Sequence, residues 1–444
     1  MDFDLLEKMV RRAQELGAED VVANGEESSE WQLKFVDNKI VTGMSSHETC
    51  VSLLVSKENR IGLTTIKNFS KRNIEESISK LLRFTKKMQP NEEYSGIAKG
   101  PFRYKTLHGS YDGRIEKLDE KAVDFVEEGI NASLAQGAVR SSGVLKYDFG
   151  EELLVTSNSV RARDRGTGIY FSIRALADKD ASGHKVCCST TLSDFSPENA
   201  GQRAGEIAKK ALKPVRGDVG KFDVIFDPYP FANLLNITMD SASIFSVEAG
   251  FSFLGGKLNK KVASKDVTLI DDGSLPHCIS SSKFDSEGVP TQRNVVIQNG
   301  ILKTYLHNTS TARKYKVKTT ANAGLLSPRP WNAILAKGKF KEKEMFEEVR
   351  KGLYITNLWY TRFQNYEKGD FSTIPRDGIF LIEKGELTKS LKEIRLSDNM
   401  LRMLQNISAV SKRQEQIIGW EVEIPVISPH VLVKGVRVTR PTSS

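Results

Sequence analysis

Six histidines and four cysteines are the side chains through which this chain could hold a metal or run redox chemistry. None of Cys50, Cys187, Cys188 and Cys278 stands in a CxxC spacing, so buried reduced thiols are expected. Cys187 and Cys188 are adjacent, and on a strand they would point to opposite faces. His184 lies close to that pair in sequence, but the same strand would splay the three apart. His277-Cys278 offers a nitrogen and a sulfur side by side, with no further ligand at a useful spacing. His307, next to a hairpin, and His430, after Pro429, read as structural. For acid–base work the candidates are Asp271-Asp272 and the pair Asp285 and Glu287. All four sit among turn formers, where loop solvation or backbone capping is the expected role.

The stretch Lys283 to Gly324 must position the second carboxylate pair. Asn299-Gly300 separates the apolar-rich runs Val295 to Ile297 and Ile301 to Leu306, and both residues tolerate positive φ. This predicts a two-residue β-hairpin. Thr309 or Ser310 can cap a short helix through Arg313 and Lys314. Phe284-Asp285-Ser286-Glu287-Gly288 reads as a polar loop feeding the first strand.

Elsewhere the chain alternates helical and strand-like runs. Leu5, Leu6, Met9, Val10, Ala13 and Leu16 fall at helical spacing before Gly17. Short strands are expected at Gln32 to Val36, Cys50 to Val55 and Arg60 to Ile66, then a helix capped by Ser70. Gln89 to Gly113 has little periodicity and reads as a connection. A helix from Ile115 to Gln136, strands between Val144 and Thr190, and a helix opened by Ser196-Pro197-Glu198 repeat the order. From Lys221 the character changes. Phe222 to Phe226 is strand-like, a helical stretch runs from Tyr229 towards Leu254, and a charged helix lies near Glu342 to Lys351. Ser397 can cap a helix bearing Met400, Leu401 and Leu404, and β-rich sequence continues to the end.

The expectation is an α+β protein: amino-terminal α/β lobes with a helix–strands–helix repeat, then a β-rich carboxy-terminal domain. The domains are placed at 1–215, as related lobes 1–90 and 113–215, and at 220–444. No stretch approaches the roughly 18 apolar residues of a membrane span, and the acidic amino terminus lacks an apolar signal core, so a cytoplasmic protein is expected with no membrane partner. The net charge of +9 with pI ≈ 9.1 invites a nucleic-acid reading. The charge is dispersed, however, and Lys314-Tyr315-Lys316-Val317-Lys318, alternating as a strand would, is the best basic run. Nucleic acid is not the expected partner.

The segments above carry a resemblance to the TldD/PmbA family, the "modulator of DNA gyrase" proteins, whose PmbA branch is also called TldE. The matching residues are Phe284-Asp285-Ser286-Glu287-Gly288, the hairpin Val295 to Tyr305, Ala312-Arg313 and Thr320-Ala321-Asn322-Ala323-Gly324. Leu16-Gly17-Ala18, Gly385-Glu386, Asn399-Met400 and Pro429 to Val433 extend the match over nearly the whole chain. Each piece is common; the ordered set is specific.

The resemblance implies a fold shared with zinc proteases. TldD-type members carry a His-Glu-x-x-x-His helix and a late cysteine, which supply zinc ligands and a base for the attacking water. The corresponding region here falls near Leu235, Asn236 and Asp240. No histidine lies between His184 and His277 and no cysteine follows Cys278. The expected function is therefore that of a TldE-like subunit. It would carry no catalytic residue and no metal, be inactive alone, and pair with a TldD-like chain that brings zinc to cleave unfolded or flexible peptides. Phe284, Asp285, Glu287, Gly288, Asn299, Gly300 and Arg313 are the family-motif residues expected to meet substrate or partner. The alternative is a non-enzymatic homodimer binding peptides or, following the family's gyrase-linked name, nucleic acid.

Overall fold

The computed structural model describes residues 1–440; the last four residues of the expected carboxy-terminal domain lie outside the described residues. The amino-terminal half is built on one antiparallel sheet, in the order β3-β2-β1-β4-β5-β6. Its elements are α1 (Phe3–Glu15), β1 (Val21–Val36), β2 (Lys39–Lys57), β3 (Arg60–Ile66), α2 (Lys71–Thr85), α3 (Gly113–Glu116), α4 (Lys121–Ala135), β4 (Arg140–Thr156), β5 (Arg161–Leu176), β6 (Ser182–Ser189) and α5 (Pro197–Lys210).

The helix–strands–helix order does occur twice. The two lobes are halves of one sheet, joined where β1 pairs β4 from Val22↔Thr156 to Phe35↔Gly143. Each lobe has its own apolar core under its own helices. Leu6, Met9, Val51, Leu53 and Ile78 fill the first; Val126, Ile130, Phe171 and Ala204 fill the second. Ser70 and Ser196 cap α2 and α5 as their positions predict. The expected helix from Ile115 is interrupted, because the chain turns through Asp119 at φ 43° between α3 and α4.

The carboxy-terminal half is a mixed sheet of fourteen strands, which the order places around Val422–Thr439. That long strand is parallel to Ala333–Leu335 and antiparallel to Gly220–Phe226, with Ile407–Gly419 folded back on it. The helix α6 (Pro228–Asp240) packs Phe231, Leu234, Leu235 and Met239 into this domain's core. It does not reach Leu254. Thr238 and Ser241 hydroxyls return to the carbonyls of Leu234 and Ile237, the helix stops at Asp240, and a separate short helix spans Ile244–Glu248.

Four other local expectations are corrected. Asn308 caps the helix Thr309–Lys314, in a capping box with Thr311. Asn399, not Ser397, caps Met400–Gln405. Lys314 to Lys318 is a helix end, turned by Lys316 at φ 55°. The charged helix ends at Glu347, because Lys351–Ile355 is taken up as an almost fully buried strand beside Gly220–Phe226.

Candidate functional site

At Asn299 (φ 48°) and Gly300 (φ 81°) the chain makes the expected two-residue turn between Arg293–Gln298 and Ile301–Leu302. Ala263 and Ser264 carbonyls lie 2.4 and 2.6 Å from where a Cβ on Gly300 would be, so only glycine fits. The preceding motif loop is buried. Phe284 is 1% exposed and packs against Tyr104. Asp285 accepts from the amides of Glu287, Val289 and Ala323, each at 3.0 Å. Glu287 accepts from the amide of Ala98 at 3.2 Å, and Tyr104 donates to the Gly288 carbonyl. Arg313 donates to the Ser95 carbonyl, and Ser310 accepts from the Ser95 amide. The motif thus fastens the connection 94–104 to the carboxy-terminal domain. Burial raises the pKa of both Asp285 and Glu287, and for Asp285 the charge of Glu287 adds to it.

The other carboxylates are similarly committed. Asp271 accepts from Asn322 and from the Trp331 amide at 2.7 and 2.6 Å, and burial pushes it up to about 7. Asp272 binds the amide and hydroxyl of Ser274. Among the histidines, His184 is buried, bonded to the Ser172 hydroxyl at 3.0 Å, and lowered by burial to about 4. It shares a strand face with Cys188, but four residues of strand separate them by about 13 Å. Cys188 donates to the Gln416 carbonyl, and burial raises it to about 12. His277 meets Asp194 at 3.2 Å, and His307 contacts the Thr311 hydroxyl. All four cysteines are free.

The helix α6 presents its polar residues to the hairpin between Ile407–Gly419 and Val422–Thr439. Asn233 donates to the Glu421 carboxylate at 3.2 Å and accepts from the Thr361 hydroxyl at 2.7 Å. Asn236 accepts from the Ile424 amide at 2.8 Å. Glu421 is held further by the amides of Tyr360 and Thr361 and by Arg362. Leu235 is fully buried, and Asp240 is exposed at the last turn.

A groove of about 1000 Å³ separates β6 and the first turns of α5 from the strand Ile407–Gly419. β6 is the edge strand of its sheet, whereas Ile407–Gly419, paired with Val422–Thr439, also meets 338–340 around Ser411. The groove's floor is a charge network that the linear chain does not announce. Lys185, its side chain 4% exposed, meets Asp227 at 2.6 Å, and Arg203 meets Glu415 at 2.6 Å. Tyr354 donates to Asp227 at 2.7 Å. Burial opposes the charge of Asp227, but Lys185, His430 and Arg203 together hold its pKa below the carboxylate range. Asp227 also caps α6 through the Tyr229 amide, so the groove floor and that helix share a residue. Asp227 before Pro228 was the one readable sign, a cap followed by a first-turn proline.

Two family models cover most of the chain: the PmbA/TldA metallopeptidase central domain over residues 114–212 and its C-terminal domain over residues 219–440. The chain belongs to the PmbA/TldD metallopeptidase family. A metalloprotease of Methanocaldococcus jannaschii is 28% identical over 428 residues, spanning 90% of this chain and 91% of that one. A Thermotoga maritima crystal structure, described provisionally as a modulator of a DNA gyrase, superposes with a TM-score of 0.87 at 25% identity, covering 98% and 99% of the two chains. TldE from Thermococcus kodakarensis shares the fold, with a TM-score of 0.87 at 21% identity over 98% of this chain and all of that one.

A PmbA/TldD metallopeptidase implies a metal ion, and the donors on α6 do not fit one. Carboxamides are poor zinc ligands, and those of Asn233 and Asn236 are already bonded to protein. Among the described residues no group of three or more His, Cys, Asp and Glu is arranged to hold an ion, and no helix is long and apolar enough to cross a membrane.

Proposed function

We propose that this chain is the TldE-like subunit of a TldD–TldE type zinc metalloprotease that acts on unfolded or flexible peptides. It holds no metal and is catalytically silent alone; the zinc and the water-activating base come from a TldD-like partner. One observation carries this reading. The helix that would bear the zinc motif has neither histidine nor cysteine, and its amides are closed onto Thr361, Glu421 and Ile424.

Two features support the rest. Trp420 is 80% exposed at the hairpin tip beside α6, with half-exposed Tyr360 nearby on the same rim. Exposed aromatics are the usual anchors of a protein interface. The groove beside Ile407–Gly419 offers the outer main-chain edge of β6 and amide side chains, which suit an extended peptide bound by strand pairing and with little regard to sequence.

The test is reconstitution with a His-Glu-x-x-x-His sibling. Peptide hydrolysis by the mixture should exceed that of the sibling alone at least tenfold, and this chain alone should show none. If the sibling alone is equally fast, the subunit role fails.

A further inference from the structure

Although the net charge is dispersed over the chain, the fold adds two distant lysines to one dense local run. Lys257, Lys260, Lys261 and Lys265 fall within nine residues that contain no acid. The segment runs antiparallel beside the Asn299-Gly300 hairpin: Asn259 donates to the Leu302 carbonyl at 2.8 Å, Leu302 to Lys260 at 3.1 Å, and Val262 to Gly300 at 2.8 Å. Lys303 is the next residue of the hairpin. Lys337 joins them through the bond from Ala336 to the Thr268 carbonyl, since Thr268 binds Asn299. Five of these lysines are exposed and Lys257 is half-buried. Among the described residues none of the six forms an ion pair, and Asp266 is the one carboxylate in the loop.

We propose that this surface binds nucleic acid through its phosphate backbone, without reading sequence. A cluster of like charges raises the local potential and disfavours the compact state unless a polyanion neutralises it. Protein interfaces are depleted in lysine and rich in aromatics at their centre. Here the exposed apolar residue is Leu258 alone, which also leaves little to insert into a lipid surface. Lysines without arginine forks or stacking rings supply phosphate contacts and no base-edge contacts.

The test is fluorescence anisotropy of the full chain with a labelled duplex of arbitrary sequence. Binding should weaken with salt, the slope of log K against log salt being about −3.6 to −5.4 if roughly four to six phosphates are neutralised. The triple change Lys260→Glu, Lys261→Glu, Lys303→Glu should lower affinity at least tenfold at low salt, with thermal unfolding confirming an intact fold. The same reversal at Lys80, Lys86 and Lys87, on and after α2, should leave it within twofold. Equal losses in the two triples, no binding at low salt, or equal affinity for polyglutamate or phosphatidylserine vesicles would each overturn the proposal.

Discussion

Lys185 and Asp227 show what a buried charge demands of its neighbours. The carboxylate is fully buried and is met by Lys185, Tyr354 and, at 3.8 Å, Arg203. Replacing Lys185 by Met should cost about 3–5 kcal/mol, since removing one member strands the other's charge. Adding Asp227→Leu should recover part of that loss, and urea unfolding of both variants checks it. The carboxyls of Asp271, Asp285 and Glu287 make a second prediction, in pH. Their pKa values lie above the ordinary range in the folded chain, so the fold keeps protons that the unfolded chain releases. The stability this contributes is complete below about pH 4 and is lost as pH rises towards and past neutrality. Unfolding midpoints should therefore fall between about pH 6.5 and pH 8, above the range in which buried His184, His307 and His430 would take up protons on unfolding, and Glu287→Gln should flatten that slope; a midpoint that rises with pH there would contradict the assignment.

Single elements test how the sequence selects local structure. Gly300→Ala should destabilise the protein by about 1–3 kcal/mol, from positive φ and a Cβ against two carbonyls; differential scanning calorimetry reads it directly. This turn was legible because Asn-Gly has few other uses. The caps at Ser70 and Ser196 were legible because each stands directly ahead of a periodic run, Ser196 with a first-turn proline and acid after it. Asn308 and Asn399 were not, because neighbouring Ser and Thr have the same capping chemistry and only the chain's turn selects among them. β1 and β2 run to 16 and 19 residues, but the mixed burial of β1 after Gly25 and the polar, exposed first half of β2 hide the alternation, so only fragments were readable. The buried strand Lys351–Ile355 lost out to a charged helical pattern running into it.

Long-range organisation left little trace in the sequence. The doubling of helix and strands was readable, but the joining of both lobes into one sheet depends on the β1–β4 register. The bonds of Ala98 and Ser95 to Glu287 and Ser310 span some two hundred residues, and the charge network under the groove draws Lys185, Arg203, Asp227, Tyr354 and Glu415 from separate segments. For the whole molecule the exposed rim predicts that Trp420→Ala weakens association with a metal-bearing sibling at least tenfold while leaving this chain's melting temperature unchanged, as measured by sedimentation and calorimetry.

The most direct measurement is metal content and peptide turnover on the purified chain, with and without a TldD-like partner. The expected result is less than one tenth of a zinc per chain and no hydrolysis by the chain alone, with one zinc and chelator-sensitive turnover in the pair. A stoichiometric ion in the isolated chain, with hydrolysis that a chelator abolishes, would contradict it.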